Sequence, residues 1–220
     1  TIKQEKIIPD RLLKSGNGYD LFLDGILSFV DIEEKGWKIN EGYYEKIQHH
    51  LTRVNKRAIK DIYTSDENLK WKKKKGKDIL YTSMDQLREL FFDVMKLKPT
   101  KFTKKKNASI DAEVLGELVH KSTVAKSITE TRKNKGLQDK IADFQREAIN
   151  GVIRPNYNLH IPRSYRSSCG SPNMQNNNKR DPVSKKYIRE GIVAGENRML
   201  VAKDYSGVEV SAGCFYHKDP

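Results

Sequence analysis

Apolar residues recur at helical spacing along most of the first 150 positions. Phe22, Ile26, Phe29 and Val30 share one face of a segment from Tyr19 to Lys35, and Gly36 behind it suits the left-handed cap that commonly ends a helix. Asn40 is a capping residue ahead of a second stripe formed by Tyr43, Ile47, Leu51, Val54 and Ala58, with Lys and Arg on the other side. Ser83-Met84-Asp85-Gln86 has the form of a capping box, and Leu87, Leu90, Phe91 and Val94 follow at helical spacing. Ser109 stands to cap a further helix through Asp111, Glu113 and Leu115 to Val119, its early acids matching the positive end of the dipole. A long helix is expected from about Val124 to Ile149, interrupted at most near Gly136.

After Asn150-Gly151 the pattern changes. Val152-Ile153-Arg154-Pro155, Tyr157 and Leu159 favour extended structure, and Pro, Ser, Asn and Gly become frequent up to Pro182. Met199-Leu200-Val201-Ala202 reads as a short buried strand that delivers Lys203 and Asp204 to its C-terminal end, with Ser206 starting a helix through Val208, Ala212 and Phe215. The expected organisation is a tail or linker over 1–20, a helical region over 21–150, and the first part of an α+β domain over 151–220. The fold class is therefore mainly α with α+β.

Composition narrows the class. The 220 residues hold 42 Lys+Arg and 29 Asp+Glu, a net charge of +13, with 36% hydrophobic residues, which describes a folded basic protein rather than a disordered one. No run approaches the roughly 18 apolar residues of a membrane span, and no signal peptide opens the chain, so membrane insertion and secretion are disfavoured. Cys169 and Cys214 belong to no C-x-x-C pair, so neither a disulfide framework nor a zinc site is indicated. The five histidines, His49, His50, His120, His160 and His217, show no metal-ligand spacing and are read as structural or solvent-facing. A start at Thr1 and an end at Pro220 suggest an excerpt of a longer protein.

The charge is regional: residues 51–110 contain 17 Lys or Arg against 7 Asp or Glu. It concentrates in Lys72-Lys73-Lys74-Lys75-Gly76-Lys77 and in Lys101 with Lys104-Lys105-Lys106, both expected as surface loops. One such run is commonly no more than a solvated face. Two runs flanking one helix point to a polyanion, because each neutralised phosphate releases condensed counterions.

A carboxylate at the exit of a buried strand, followed at once by a helix start, is a perch suited to a metal ion. Asp204 fits that description, as do many strand-end aspartates that merely cap helices. Upstream, Arg166-Ser167-Ser168-Cys169-Gly170-Ser171-Pro172-Asn173-Met174-Gln175-Asn176 is dense in side-chain donors and acceptors. Such a stretch can follow a phosphodiester backbone and reach minor-groove acceptors without sequence preference, or it can be a solvated linker.

These two stretches carry a resemblance. L-V-A-K-D-Y-S-G-V-E-V from Leu200 to Val210 resembles motif A of the family A DNA polymerases, of the polymerase I type with its phage members, whose usual form is D-Y-S-Q-I-E-L-R. R-S-S-C-G-S-P-N-M-Q-N from Arg166 to Asn176 is similar, without a gap, to the family's R-L-S-S-S-x-P-N-L-Q-N. Ser83 to Leu90 resembles its S-x-x-Q-L segment, Ser109 to Leu115 its S-T-D-A-E-V-L, and Glu33 to Ile39 its E-x-x-G-hydrophobic pattern. The resemblance spans roughly residues 20–220.

It implies part of a right-hand polymerase architecture, a helical DNA-gripping thumb over 21–150 and the start of the palm over 151–220. Asp204 would be one of two carboxylates holding a pair of Mg2+ ions about 4 Å apart, and the backbone carbonyl of Tyr205 would complete the nucleotide-side ion. Glu209 would exclude a ribose 2′-hydroxyl. Arg166, Ser168, Asn173, Gln175 and Asn176 would place primer-template DNA, with Lys104, Lys105 and Lys106 gripping its backbone. The implied function is template-directed transfer of deoxynucleotides from their triphosphates to a primer 3′-hydroxyl, in a bacterial or phage-infected cytoplasm. Departures from the family pattern are Gly207 for Gln, Ser211 for Arg, Ser164-Tyr165 for Thr-Gly, and Asn177-Asn178 for Ile-Pro. The second metal-binding aspartate and the cations for the triphosphate are expected beyond Pro220, so the 220 residues alone are expected to be inactive. The alternatives are a non-catalytic helical DNA-binding module on the same scaffold and a single-subunit RNA polymerase, against which Glu209 speaks.

Overall fold

The computed structural model describes residues 17–162, 166–177, 181–204 and 206–217. Helix α1 (Asn17–Lys35) ends where Gly36 turns to φ +63° and its N–H donates to Ile32 O at 2.9 Å. A Cβ there would stand 2.6 Å from Ile153 O, so the turn requires glycine twice over. Phe22 and Phe29 of this helix are half-buried, while Ile26 and Val30, expected on the same face, are exposed.

Strand β1 (Trp37–Lys38) leads to helix α2 (Glu41–Thr64), capped by the Asn40 side chain, which accepts from Tyr43 N. Ser65 both ends α2 and caps helix α3 (Asp66–Lys75), so the chain turns without a loop. The first lysine run is therefore helical and not a loop: Lys72 to Lys75 form the last turn of α3, where cations suit the negative end of the dipole, and Gly76 closes it at φ +72°. Buried Asn68 and Trp71 in the preceding turns hold that helix to the core.

Helix α4 (Met84–Arg88) runs on into a π-helical turn over Glu89–Val94. Its capping box is half made: Ser83 Oγ accepts from Gln86 N, but Gln86 Oε1 accepts from Leu80 N and not from Ser83. The cap of helix α5 (Ala112–Leu118) is Asp111, whose Oδ1 accepts from Val114 N at 3.0 Å; Ser109, expected there, is buried two positions earlier. Helix α6 (Thr123–Glu147) passes through Gly136 unbroken, and Ala148–Ile149 leave it as strand β2.

Strand β3 (Val152–Ile153) pairs antiparallel with both β1 and β2, in the order β1-β3-β2, around the Asn150-Gly151 turn with φ of +53° and +72°. Strands β4 (Asn156–Asn158) and β5 (Ser168–Gly170) form a second antiparallel pair. Helix α7 (Pro182–Arg189) starts on the Asp181 cap, and helix α8 (Val208–His217) closes the described chain. The class is mainly α with small antiparallel sheets.

Helices α2 and α6 are antiparallel partners that link two cores. One gathers Ile62, Trp71, Leu87, Leu90, Phe91, Val124 and Ile128; the other gathers Tyr44, Leu51, Ile141, Phe144, Ile153, Met174 and Ile188, from both sides of residue 150. Along the seam Gln138 accepts from Gln48 and Asn55 and donates to Thr52 Oγ1, so the amides fix the helix register.

The strand expected over Met199–Ala202 is absent. The stretch is unpaired, with Met199, Leu200 and Val201 exposed by 82%, 57% and 78%. A strand needs a free edge to bond, and the outer edge of neighbouring β1 is taken: Val193 N donates to Lys38 O at 2.9 Å, and Ile39 bridges Ile192. Among the described residues no helix is long and apolar enough to cross a membrane.

Candidate nucleic-acid interface and carboxylate site

The Arg166–Asn177 loop is anchored from below. Cys169, Pro172 and Met174 are buried, Met174 N donates to Cys169 Sγ, and that thiol reaches Pro172 O at 3.5 Å. The polar residues are then fixed locally. Asn173 Oδ1 accepts from Gln175 N and Asn176 N, Gln175 Nε2 donates to Ser167 Oγ at 2.8 Å, and Asn177 Nδ2 donates to Met174 O. Lys140 on α6 donates to Asn176 O, its ammonium stands 5.9 Å from the Phe144 ring centroid, and burial draws it below the ordinary lysine range.

Arg166, Asn173, Gln175 and Asn176 are exposed and stand on one short loop. The Ser168 hydroxyl is instead shielded from solvent, without a hydrogen-bond partner among the described residues. β4 backs the loop, and Tyr157 holds β4: its hydroxyl accepts from Trp37 Nε1 at 3.1 Å, its N–H donates to Glu33 Oε1, and its ring meets Phe29 at 5.3 Å. Burial pushes the Tyr157 phenol upward, so it stays protonated at neutral pH. Glu33 and Trp37, noted in the sequence only for their resemblance, thus seat the strand beside the loop.

Lys104, Lys105 and Lys106 lie on the tip of a tight hairpin. Phe102 bridges Ala108, Thr103 N donates to Asn107 O, and Lys106 takes φ +60°. All three are exposed and make no ion pair among the described residues. Lys101 at the hairpin base is different: it bonds Asp111 at 2.8 Å and Glu113 at 2.7 Å, which raises its own pKa and holds the Asp111 carboxyl at about 2. It fastens the hairpin to α5. In the first run Lys72 pairs with Asp78, and Lys74 and Lys75 with Glu89, which leaves Lys73 and Lys77 without an ion pair among the described residues.

Asp204 is exposed at the end of the unpaired stretch, before the Ser206-Gly207 turn with Gly207 at φ +62°. Tyr205 and the Glu209 side chain lie outside the described residues; the Glu209 backbone belongs to the first turn of α8. No hydrogen bond joins Asp204 to the loop among the described residues. A carboxylate is the hard oxygen donor that Mg2+ prefers. Among the described residues no group of three or more His, Cys, Asp or Glu could hold a metal ion, and Asp204 belongs to no such cluster. Lys140 and the capping Asp181, which bonds Lys133 of α6 at 2.7 Å, escaped the sequence reading. Asp181 did carry a signal, a capping residue ahead of Pro at the first helical position.

A sequence model described as DNA polymerase family A matches residues 48–219. The DNA polymerase of Escherichia phage T5 is 29% identical over 199 residues, covering 87% of this chain and 22% of that protein. The thermostable DNA polymerase I of Thermus aquaticus is 30% identical over 132 residues, covering 58% of this chain and 16% of its own. The chain thus spans about a fifth of the length of these curated relatives. Among solved structures, the POL domain of Pol1 from M. smegmatis in complex with DNA primer-template and dNTP matches with a TM-score of 0.70. It is 24% identical and covers 87% of this chain and 32% of that one, a likeness of fold.

Proposed function

Because the chain belongs to DNA polymerase family A, we propose that it supplies the thumb and the first part of the palm to an enzyme that extends a DNA primer on a template. The supporting observation is that the family match spans residues 48–219, a range that takes in the lysine hairpin, the Arg166–Asn177 loop and Asp204.

Phosphoryl transfer asks the protein mainly for positioning and for charge stabilisation. Lys104, Lys105 and Lys106 hold duplex phosphates without reading sequence. Arg166, Asn173, Gln175 and Asn176 meet the primer end in the minor groove, whose acceptors occur on every base pair. Ser168, with its hydroxyl turned inward, supports the loop from β5. Asp204 and the Tyr205 carbonyl are the residues that would hold magnesium, together with a second carboxylate from outside the described residues. When bound, the ions activate the primer hydroxyl and neutralise the triphosphate. Glu209 excludes a 2′-hydroxyl from the sugar position, and a thousandfold preference needs only about 4 kcal/mol. The work is placed in the cytoplasm of a bacterium or of a phage-infected cell.

The test is primer extension by a polymerase carrying this chain. Asp204→Ala is expected to lower single-turnover incorporation by about a thousandfold or more while changing duplex affinity by less than about threefold. Normal turnover by that variant sinks the reading.

A further inference from the structure

Helix α2 presents a charged surface that the loop and hairpin do not use. Between residues 46 and 60 it carries Lys46, Arg53, Lys56, Arg57 and Lys60 and no Asp or Glu. All five are exposed. At 100° per residue they fall within a sector of about 100°, opposite the buried Tyr44, Leu51, Ala58 and Ile62, and they extend over about 21 Å of helix. None of the five side chains enters an ion pair or hydrogen bond among the described residues. Arg53 with Arg57 and Lys56 with Lys60 are like charges four residues apart, an arrangement that destabilises an isolated helix. An ordinary solvated face mixes both signs; this one is of one sign from Lys46 to Lys60, with exposed Glu45 and Asp61 at its two ends.

The stripe also points away from the loop. On α6, Gly136 and Lys140 border Pro172 and Asn173, whereas Gln138 bonds Gln48 and Asn55 of α2. Positions 136 and 138 are about 200° apart on a helix. The loop and α2 therefore lie on opposite sides of α6, and the basic side of α2 faces further out still.

We propose that this face is a second nucleic-acid surface, which holds a sugar–phosphate backbone without reading its sequence. The chemistry of the face selects that occupant. It exposes no apolar side chain between 46 and 60, so it lacks both the buried anchors of a protein interface and the inserting residues of a membrane-binding helix. It contains no Phe, Tyr or Trp on which bases could stack. Its two amides, Gln48 and Asn55, are committed to the seam with α6. What remains is a row of cations, and a row of phosphates complements it. The stripe acts whether or not Asp204 serves incorporation.

The experiment is fluorescence anisotropy of the 220-residue chain with a labelled duplex of about 24 base pairs, at about 50 to 200 mM salt. The probe is repeated with K46Q/R53Q/K56Q/R57Q/K60Q and, as a reference, K104Q/K105Q/K106Q. The five-residue variant is expected to bind at least about tenfold more weakly at the lowest salt. Its slope of log affinity against log salt should be shallower by about 3 to 4, since each phosphate contact contributes about 0.9. That loss should add to the loss from the hairpin variant. An unchanged slope overturns the second surface while leaving the hairpin reading intact; loss only with the hairpin variant has the same meaning. Binding of labelled poly-glutamate that is lost in the five-residue variant, with duplex binding by that variant unchanged, also overturns it and assigns the face to an acidic protein. Should the five-residue variant fail to fold, R53Q/K60Q serves instead, with a shift in slope of about 2 expected and no shift overturning the inference.

Discussion

The two stretches that carry the family's polar residues are built in opposite ways. Arg166–Asn177 has its own foundation: Cys169, Pro172 and Met174 are buried beneath it, the Asn173 side chain turns it, and Lys140 grips the Asn176 carbonyl near its end. Met199–Asp204 has none, with three apolar side chains in solvent and a carboxylate that bonds nothing described. A polar motif thus says which chemistry a segment carries and nothing about what holds it. The first segment is preorganised by residues that touch no ligand. The second is apolar in a way that only a covering neighbour would make sense of.

The contrast is tested hardest at Met174. It is 7% exposed and belongs to the second core, so Met174→Ala removes buried methylene and sulfur contacts and leaves a cavity. A loss of about 2–5 kcal/mol is expected in urea or thermal unfolding. A loss below about 0.5 kcal/mol means that the loop is not anchored there, and the difference between the two stretches disappears.

Lys140 sharpens the same point from the polar side. Lys140→Met keeps an unbranched apolar side chain and removes both the donor to Asn176 O and the ammonium beside the Phe144 ring. About 1 kcal/mol of stability should go with the charge-assisted bond, part of it offset because a half-buried ammonium no longer needs desolvating. Duplex affinity should fall severalfold with it, and Lys140→Arg should recover most of both. Equal behaviour of the Met and Arg variants removes Lys140 from the foundation.

Asp181 fastens α7 to α6 just downstream of the loop, and its effect depends on pH. The hydrogen bond from Lys133, and after it that from Ser184, holds its carboxyl at about 2, against about 3.9 in an unfolded chain. A depressed carboxyl contributes stability above the unfolded value and loses it as pH falls from about 4 towards 2. Asp181→Asn keeps a capping side chain but not the ion pair, so it should cost about 0.5–1 kcal/mol at neutral pH. The unfolding curve of the variant should also flatten between pH 4 and 2. An identical acid limb in the two proteins removes the ion pair from the account.

Helical periodicity made α2, α4 and α6 legible because each buries apolar residues against a neighbour from the same chain, and it found α1 although that helix leaves Ile26 and Val30 of its stripe exposed. The caps were legible to within a turn, and the failure at Ser109 is instructive. Both Ser109 and Asp111 are capping residues, and the choice fell to Asp111 because Lys101 bonds its other oxygen. The Lys72–Lys75 run looked like a loop because four cations have no apolar partner among themselves; Trp71 and Asn68, one turn earlier, decide that it is helix. Helix α7 went unanticipated, since Pro182 reads in the sequence only as the end of the Pro-, Ser-, Asn- and Gly-rich stretch, although proline suits the first turn. At the candidate site, Asn173, Gln175 and Asn176 were legible as a group. Their support was not, since Lys140 and Tyr157 meet the loop and β4 only through tertiary contacts.

The smallest expected effect is the most discriminating. Leu200 is 57% exposed and touches no core, so Leu200→Ala in this chain should change unfolding free energy by less than about 0.5 kcal/mol. In a polymerase where a neighbouring strand covers Met199–Ala202, the same substitution would empty a packed site and cost about 2–5 kcal/mol. Measured side by side, the two values separate a segment that is polar chemistry on an open tether from one whose burial is supplied by its surroundings. A large loss in the 220-residue chain itself would mean that Leu200 already packs against something, and the opposition between the two stretches would then fail at its weaker end.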